Sequence, residues 1–122
     1  MKLCLVVDDS PVVRNIAKCL LNDLGYDVRE AENGQQAFEI CQGDMPDMIL
    51  LDWQMPLMDG QDFLALVGRT FRSTKPYIVH ATTDNDPTDI SRAIAAGADD
   101  YILKPYDPES FTAKFKQLPA VA

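Results

Sequence analysis

The sequence predicts an α/β protein built on one parallel sheet with helices on both faces. The first indication is an alternation: five short strand-like segments, four of them mostly apolar, are each followed by a segment with the apolar period of a helix. The second is that charged or hydroxyl side chains stand directly after the four apolar segments. Right-handed strand–helix–strand connections turn such an alternation into a parallel sheet whose strands all end at one edge.

The first strand and helix lie at the N-terminal end of the chain. Leu3–Val7 is an apolar run that stops at two adjacent carboxylates, Asp8 and Asp9. Ser10–Pro11 is typical of a helix start, because serine caps the helix and proline fits its first position. Gly25 is expected to end this helix. The apolar residues expected to face inward are Val13, Ile16, Leu20 and Leu24.

The second and third units follow the same scheme. Asp27–Ala31 is short and polar on alternate residues, which is typical of an edge strand. Asn33 is expected to cap the second helix, with Gln36 three positions further on. Met48–Leu51 is wholly apolar, which indicates a central strand, and Asp52 follows it. The helix residues expected to face inward are Ala37, Ile40, Cys41, Phe63, Leu64 and Val67.

The fourth unit begins with the strand Tyr77–Ala81, followed by Thr82. His80 lies within this strand, and we expect it to be a core histidine. The fourth helix is predicted to begin near Asp86–Pro87 and to end at Gly97. Its inward residues are expected to be Ile90, Ala93 and Ile94.

The fifth unit completes the sheet. Asp100–Leu103 is the predicted strand, and Lys104–Pro105 follows it. Asp107–Pro108 is typical of another helix start. The apolar residues expected on one face of this last helix are Phe111, Phe115 and Leu118.

Composition restricts the function. Hydrophobic residues make up 47% and charged residues 25% of the 122 residues, which is the profile of a globular protein with one core. The net charge of −8 argues against a nucleic-acid partner. No apolar stretch approaches the roughly 18 residues of a membrane span, so we expect a cytoplasmic protein with no membrane partner.

Cys4, Cys19 and Cys41 share no metal-type spacing and have apolar neighbours, so we expect buried, reduced thiols.

The residues that follow the strands predict a site at one edge of the sheet. Asp8, Asp9 and Asp52 bring three carboxylates there, Thr82 a hydroxyl and Lys104 an ammonium group. Because adjacent carboxylates repel each other, a cation is the expected partner, and Mg²⁺ prefers such oxygen ligands. A carboxylate beside Mg²⁺ and a lysine can act as a nucleophile toward a phosphoryl group.

This set of residues resembles the receiver domain of two-component response regulators, in particular the stand-alone, chemotaxis-type regulators. The residues that carry the resemblance are Asp8, Asp9, Asp52, Thr82, Lys104 and Pro105. The resemblance implies a flavodoxin-like, doubly wound (βα)5 fold with strand order 2-1-3-4-5. It implies a single receiver domain over residues 1–122, with its core at about 2–118, that acts as a monomeric signalling switch and not as an enzyme.

The resemblance also implies a role for each site residue. Asp52 accepts a phosphoryl group from the phosphohistidine of a histidine kinase or phosphotransfer protein. Asp9 and Asp52 bind Mg²⁺ directly, Asp8 contributes mainly through water, and the backbone carbonyl of Gln54 adds a ligand. Lys104 pairs with the phosphoryl group or, in its absence, with Asp52.

The remaining implied features concern the output. Thr82 is the switch hydroxyl, Tyr101 is the aromatic residue that turns inward on activation, and the bond before Pro105 is cis. The signal should then pass to a downstream protein through the face formed by the fourth helix, the fifth strand and the fifth helix.

Four alternatives remain at this point. A flavin mononucleotide carrier on the same fold would need a phosphate cradle rich in small residues after the first strand, where this chain has acids. A phosphatase with an aspartate nucleophile would need a second acid at position 54, where this chain has Gln54. A receiver-type adaptor that is not phosphorylated would be expected to lose an acid or the lysine. The chain could also be the receiver portion of a larger regulator.

Overall fold

The structure is a computed structural model that describes residues 2–52, 58, 60–70, 76–82 and 87–117. Strands and helices alternate along the chain, as predicted. In chain order they are β1 (Leu3–Val7), α1 (Pro11–Asp23), β2 (Asp27–Ala31), α2 (Gly34–Gly43), β3 (Met48–Asp52), α3 (Gly60–Thr70), β4 (Tyr77–Thr82), α4 (Pro87–Ala96), β5 (Asp100–Leu103) and α5 (Pro108–Gln117). Within these described ranges no helix has the length and apolar character needed to cross a membrane.

The five strands form one parallel sheet in the order β2-β1-β3-β4-β5, which confirms the predicted topology. All five residues of β3 are buried, as expected for a central strand, and β2 lies at an edge. β3 and β4 each extend one residue beyond the prediction, so Asp52 and Thr82 are the last residues of their strands. Both side chains therefore stand at the carboxyl edge of the sheet.

The two faces of the sheet bury separate apolar clusters, because successive side chains of a strand point to opposite sides. Leu5 of β1 packs on the face covered by α2, α3 and α4, whereas Val6 packs on the face covered by α1 and α5. The larger helix residues of the first cluster include Phe63 and Val67. Phe111 of α5, in the second cluster, stacks on Phe115 with ring centroids 4.5 Å apart.

The predicted helix boundaries are confirmed by their capping contacts. Ser10 Oγ accepts a hydrogen bond from the Val13 N–H at 3.3 Å, and Asn33 Oδ1 accepts one from the Gln36 N–H at 2.8 Å. Gly97 follows α4 with a φ of 123°, a conformation that residues with a Cβ rarely adopt.

Three burial predictions on the helices were wrong. Ile16 and Ile94 are each 43% exposed, and Cys19 is exposed. On α1 the residues that face the sheet are Ala17 and Leu21, one turn apart, and this leaves Ile16 and Cys19 turned away from it. Leu118, expected in the core, lies outside the described residues.

The other two cysteines are buried, as predicted. Cys4 is fully buried in β1 and Cys41 is 3% exposed in α2. Burial raises the pKa of the Cys4 thiol to about 12 and that of the Cys41 thiol to about 11. Both thiols therefore stay protonated near neutral pH.

Candidate functional site

Three carboxylates meet at the carboxyl edge of the sheet. One oxygen each from Asp8, Asp9 and Asp52 can be chosen so that all three lie within 4.8 Å of one another. The parallel pairing of Val7 with Leu51 produces this arrangement, because the residue after each of them then stands at the same level. Asp8 is 2% and Asp52 7% exposed, whereas Asp9 is exposed. The cluster therefore has two buried acids and one that faces solvent.

Asp8 is held by four hydrogen bonds from different parts of the chain. Its N–H donates to the carbonyl of Ala31 at 3.1 Å, and its Oδ1 accepts the Ser10 N–H at 3.0 Å. Its Oδ2 accepts a hydrogen bond from Lys104 Nζ at 3.1 Å. Its backbone carbonyl accepts one from Arg14 Nη1 at 2.7 Å. Both the backbone and the side chain of Asp8 are therefore fixed in direction.

Lys104 places a cation, only slightly exposed, between two of the acids. Its Nζ lies 3.1 Å from Asp8 Oδ2 and 3.1 Å from Asp52 Oδ1, and its side chain is 13% exposed. Burial by itself lowers the pKa of Lys104, but the charges of Asp52 and Asp8 and the hydrogen bonds to them outweigh it, so the pKa is raised. Lys104 therefore remains an ammonium group. The peptide bond between Lys104 and Pro105 is cis, the isomer that the resemblance implied.

Thr82 lies beside this cluster at the end of β4. The pairing of Asp52 with Ala81 puts Thr82 one residue beyond Asp52 along the strand direction. The Thr82 carbonyl accepts the Lys104 N–H at 2.8 Å, which ties the end of β4 to the residue after β5. The structure thus gathers Asp8, Asp52, Thr82 and Lys104 at one edge, as the sequence predicted.

Tyr101 stands on β5, next to His80 in the register of the sheet. Lys114 Nζ lies 5.2 Å from the centroid of the Tyr101 ring and 3.1 Å from Asp100 Oδ1. The same Asp100 oxygen accepts the Tyr101 N–H at 2.7 Å. A groove of about 280 Å³ lies between β5 and α5, with Tyr101 and Lys114 among its lining residues and Leu103, 40% exposed, beside them.

His80 is 2% exposed, which confirms the expectation of a core histidine. Burial, and then the positive charge of Lys104, lower the pKa of His80 to about 4. The imidazole is therefore neutral near pH 7. The acids of the site also affect Tyr106. Burial, and then the negative charges of Asp8 and Asp52, raise the pKa of its phenol.

The donor set fits a small divalent cation that prefers oxygen. Carboxylates are the ligands that Mg²⁺ and Ca²⁺ take in proteins, and Asp9 leaves one side of the cluster open to water, which Mg²⁺ retains. Gln54, whose carbonyl was expected to add a ligand, lies outside the described residues.

Sequence reasoning missed one residue at the site and one at the start of α2. Arg14 bonds the Asp8 carbonyl from the first turn of α1, and the only sequence signal is a cation shortly after two acids. Gly34 begins α2 at a close approach: a Cβ there would lie 2.9 Å from the Met58 carbonyl oxygen. A glycine at the start of a helix already capped by Asn33 was the available signal for it.

Comparison with known proteins agrees with this geometry. The sequence model of the family described as the response regulator receiver domain matches residues 4–116 of this chain. The chain belongs to this family, the receiver domains of two-component signalling systems. The predicted family is therefore confirmed.

Several relatives are stand-alone chemotaxis regulators. Chemotaxis protein CheY1 of Helicobacter pylori is 39% identical over 118 residues, which cover 95% of this chain and 94% of CheY1. The solved structure of the Vibrio cholerae chemotaxis protein CheY4 has a TM-score of 0.89 at 30% identity and covers 98% of this chain and 99% of CheY4.

A different relative carries the same domain within a longer protein. The phosphate regulon transcriptional regulatory protein PhoB of Pseudomonas aeruginosa is 34% identical over 115 residues, which cover 94% of this chain but 50% of PhoB. The chain is thus similar to receivers in both settings, and its match to CheY1 extends over nearly all of that protein.

Proposed function

We propose that this chain is a phosphorylation-activated signalling switch whose phosphoacceptor is Asp52. The observation that carries the proposal is the environment of that carboxylate at the end of the central strand. Asp52 is 7% exposed, its Oδ1 lies 3.1 Å from the Lys104 ammonium, and Asp8 and Asp9 lie close enough to share a cation with it. Such a site can stabilise a transferred phosphoryl group.

The proposed transfer begins at a phosphohistidine of a histidine kinase or phosphotransfer protein. A carboxylate oxygen of Asp52 forms a bond to phosphorus while the bond from phosphorus to the imidazole nitrogen breaks. The electron pair of that bond leaves with the imidazole, and the product on this chain is an acyl phosphate. Asp9 and Asp52, with Asp8 mainly through water and the Gln54 carbonyl as the resemblance implies, would hold Mg²⁺, which would supply charge neutralisation at the phosphoryl oxygens.

Lys104 and Thr82 supply the protein's own contacts to the transferred group. The Lys104 ammonium already lies between two acids, so a small movement can redirect it from Asp52 to a phosphoryl oxygen. Thr82, at the end of the neighbouring strand, donates a hydrogen bond from its hydroxyl to another phosphoryl oxygen. Both contacts form only when the phosphoryl group is present, so they can favour a different arrangement of β4 and β5.

The output follows from the position of Tyr101. Thr82 moving toward the phosphoryl group leaves space beside β4, and Tyr101 on the adjacent strand turns into it. The face made by α4, β5 and α5 then changes, and a downstream protein binds the changed face. A shift from a mostly inactive to a mostly active population requires several kcal/mol of differential interaction. Two charge-assisted contacts can contribute a free energy of that size.

The likeness to CheY1 over 94% of its length supports a further proposal, that residues 1–122 form one receiver domain and that its output is protein–protein contact by a monomer. The match to half of PhoB supports a second candidate, a receiver within a larger regulator. Size and binding assays on the protein from its native source distinguish these two.

The first test is phosphorylation with acetyl phosphate and Mg²⁺, followed by measurement of the intact mass. We expect one base-labile phosphoryl group on the wild type and none on Asp52→Asn. The matched control is Asp23→Asn at the exposed end of α1, which should be labelled like the wild type. Equal labelling of Asp52→Asn and the wild type would exclude Asp52 as the acceptor.

A further inference from the structure

We infer that Arg14 is a positioning residue that sets the direction of Asp9 through the peptide group between Asp8 and Asp9. Arg14 Nη1 donates to the Asp8 carbonyl at 2.7 Å. That carbonyl and the Asp9 N–H belong to one planar peptide unit. Fixing the oxygen therefore fixes the plane in which the bond to the Asp9 Cα lies.

The guanidinium is itself held at a second point. Its Nε donates to Glu30 Oε1 at 3.1 Å, and the Arg14 side chain is 15% exposed while that of Glu30 is 37% exposed. Glu30 belongs to β2, so Arg14 connects the start of α1 and the edge strand to the loop that carries the acids. The rigid, planar fork of arginine can serve these two acceptors together, whereas lysine presents a single flexible point charge.

Asp9 depends on this backbone restraint more than Asp8 does. The Asp8 carboxylate is already fixed by Ser10 and Lys104. Asp9 is exposed, and among the described residues its carboxylate has no hydrogen bond or ion pair with another side chain. Its direction toward the other two acids is therefore set chiefly by the peptide group that Arg14 holds. This inference rests on the proposed function only in taking Asp9 as a cation ligand.

Two simpler roles for Arg14 give different expectations. If Arg14 acted only as a positive charge near the acids, its removal would strengthen cation binding, because like charges repel. If it served only to join α1 to β2, its removal would lower the unfolding free energy and leave the affinity for Mg²⁺ unchanged. The positioning role alone predicts weaker Mg²⁺ binding, opposite in sign to the charge effect.

The test is calorimetric titration of the full chain with Mg²⁺, with thermal unfolding recorded in parallel. We expect Arg14→Gln to weaken Mg²⁺ binding by about tenfold, the usual scale for losing a residue that orients a metal ligand. Arg14→Lys should also bind more weakly, although it keeps the charge. Glu30→Gln, which keeps the bond to the Asp8 carbonyl, should show a smaller loss. Lys18→Gln, the same charge change on the exposed side of α1, is the matched control and should bind Mg²⁺ like the wild type.

A double-mutant cycle separates this inference from its premise. Asp9→Ala should weaken Mg²⁺ binding, and adding Arg14→Gln to it should cause no further loss. Unchanged or tighter Mg²⁺ binding in Arg14→Gln would overturn the positioning role. If Asp9→Ala binds Mg²⁺ as the wild type does, the proposed metal ligand fails as well, whereas loss in Asp9→Ala alone leaves the proposed function intact.

Discussion

Among the described residues, two lysines form ion pairs with aspartates at the same nitrogen–oxygen distance but in different surroundings. Lys104 lies 3.1 Å from Asp8 and from Asp52, with side chains that are 13%, 3% and 9% exposed. Lys114 lies 3.1 Å from Asp100, with side chains that are 30% and 26% exposed. The distances alone do not distinguish the pairs, whereas burial does.

Burial decides what each pair contributes. The charged groups around Lys104 have lost most of their contact with water, so the ammonium group is what offsets the cost of burying the two carboxylates. Removing one partner of a buried pair typically lowers the unfolding free energy by about 3–5 kcal/mol. Water and salt screen the Lys114 pair much more, and pairs of that kind contribute about 0–1 kcal/mol. The buried cluster can therefore respond to a new negative group, while the surface pair can only adjust the conformation of its neighbours.

The largest expected effect is on stability without metal. Lys104→Met should lower the unfolding free energy by about 3 kcal/mol, because it leaves two buried carboxylates without their cation. Lys114→Met, the matched change at the surface pair, should lower it by less than about 1 kcal/mol. Urea unfolding in the presence of a chelator measures both.

Added Mg²⁺ should affect the two lysine variants differently. A cation that binds the folded state stabilises it by mass action, and the binding site of Lys104→Met has one competing positive charge fewer. Added Mg²⁺ should therefore stabilise Lys104→Met more than it stabilises the wild type or Lys114→Met. Equal losses for the two lysine variants would contradict the argument from burial.

The sequence predicted the part of this site that depends on strand ends. Asp8 and Lys104 are 96 residues apart, yet parallel pairing brings every strand end to one edge, so their contact followed from the topology. It did not predict Arg14 or Gly34, because Glu30 on β2 and Met58 approach these residues only in the folded chain, and local sequence patterns do not contain such approaches. The predicted burial of Ile16 was wrong for a similar reason, since tertiary packing determines how α1 is rotated about its own axis on the sheet.

The second prediction uses the only histidine in the chain as a reporter of the buried cation. NMR titration should give His80 a pKa near 4, below the ordinary value of 6.5. Between these two values the unfolded state binds more protons, so His80 should cost no stability above pH 6.5 and increasingly destabilise the fold as the pH falls toward 4. The expected cost at about pH 5 is about 2 kcal/mol.

His80→Met should remove that acid-dependent part, so the difference in stability between this variant and the wild type should change in the variant's favour between about pH 7 and about pH 5. Because the Lys104 charge also lowers the pKa of His80, Lys104→Met should raise that pKa, and Lys114→Met should leave it unchanged. A wild-type pKa near 6.5 would contradict the desolvated environment assigned to this imidazole.

The smallest expected effect concerns Tyr101. Lys114 Nζ lies 5.2 Å from the centroid of the half-buried Tyr101 ring, and a cation over an aromatic ring near the surface stabilises that arrangement by about 0.5–1 kcal/mol. Lys114→Gln should remove this restraint. Without phosphorylation, the population of the proposed inward orientation of the ring should then rise a few-fold. Lys116→Gln on the same helix is the matched control and should have no such effect.

The measurement is the NMR spectrum of the Tyr101 ring with and without beryllofluoride, a stable mimic of the acyl phosphate. In Lys114→Gln the unliganded spectrum should already lie part of the way toward the liganded spectrum of the wild type, while the liganded spectra should agree. If the two unliganded spectra coincide, the ammonium does not hold the ring. If beryllofluoride leaves Tyr101 unmoved in every variant, the output face lies elsewhere. The Lys104 pairs are needed to keep the site folded. A change of under 1 kcal/mol at the Lys114 pair can still alter the proposed output, because the populations of two states of similar free energy respond to small differences.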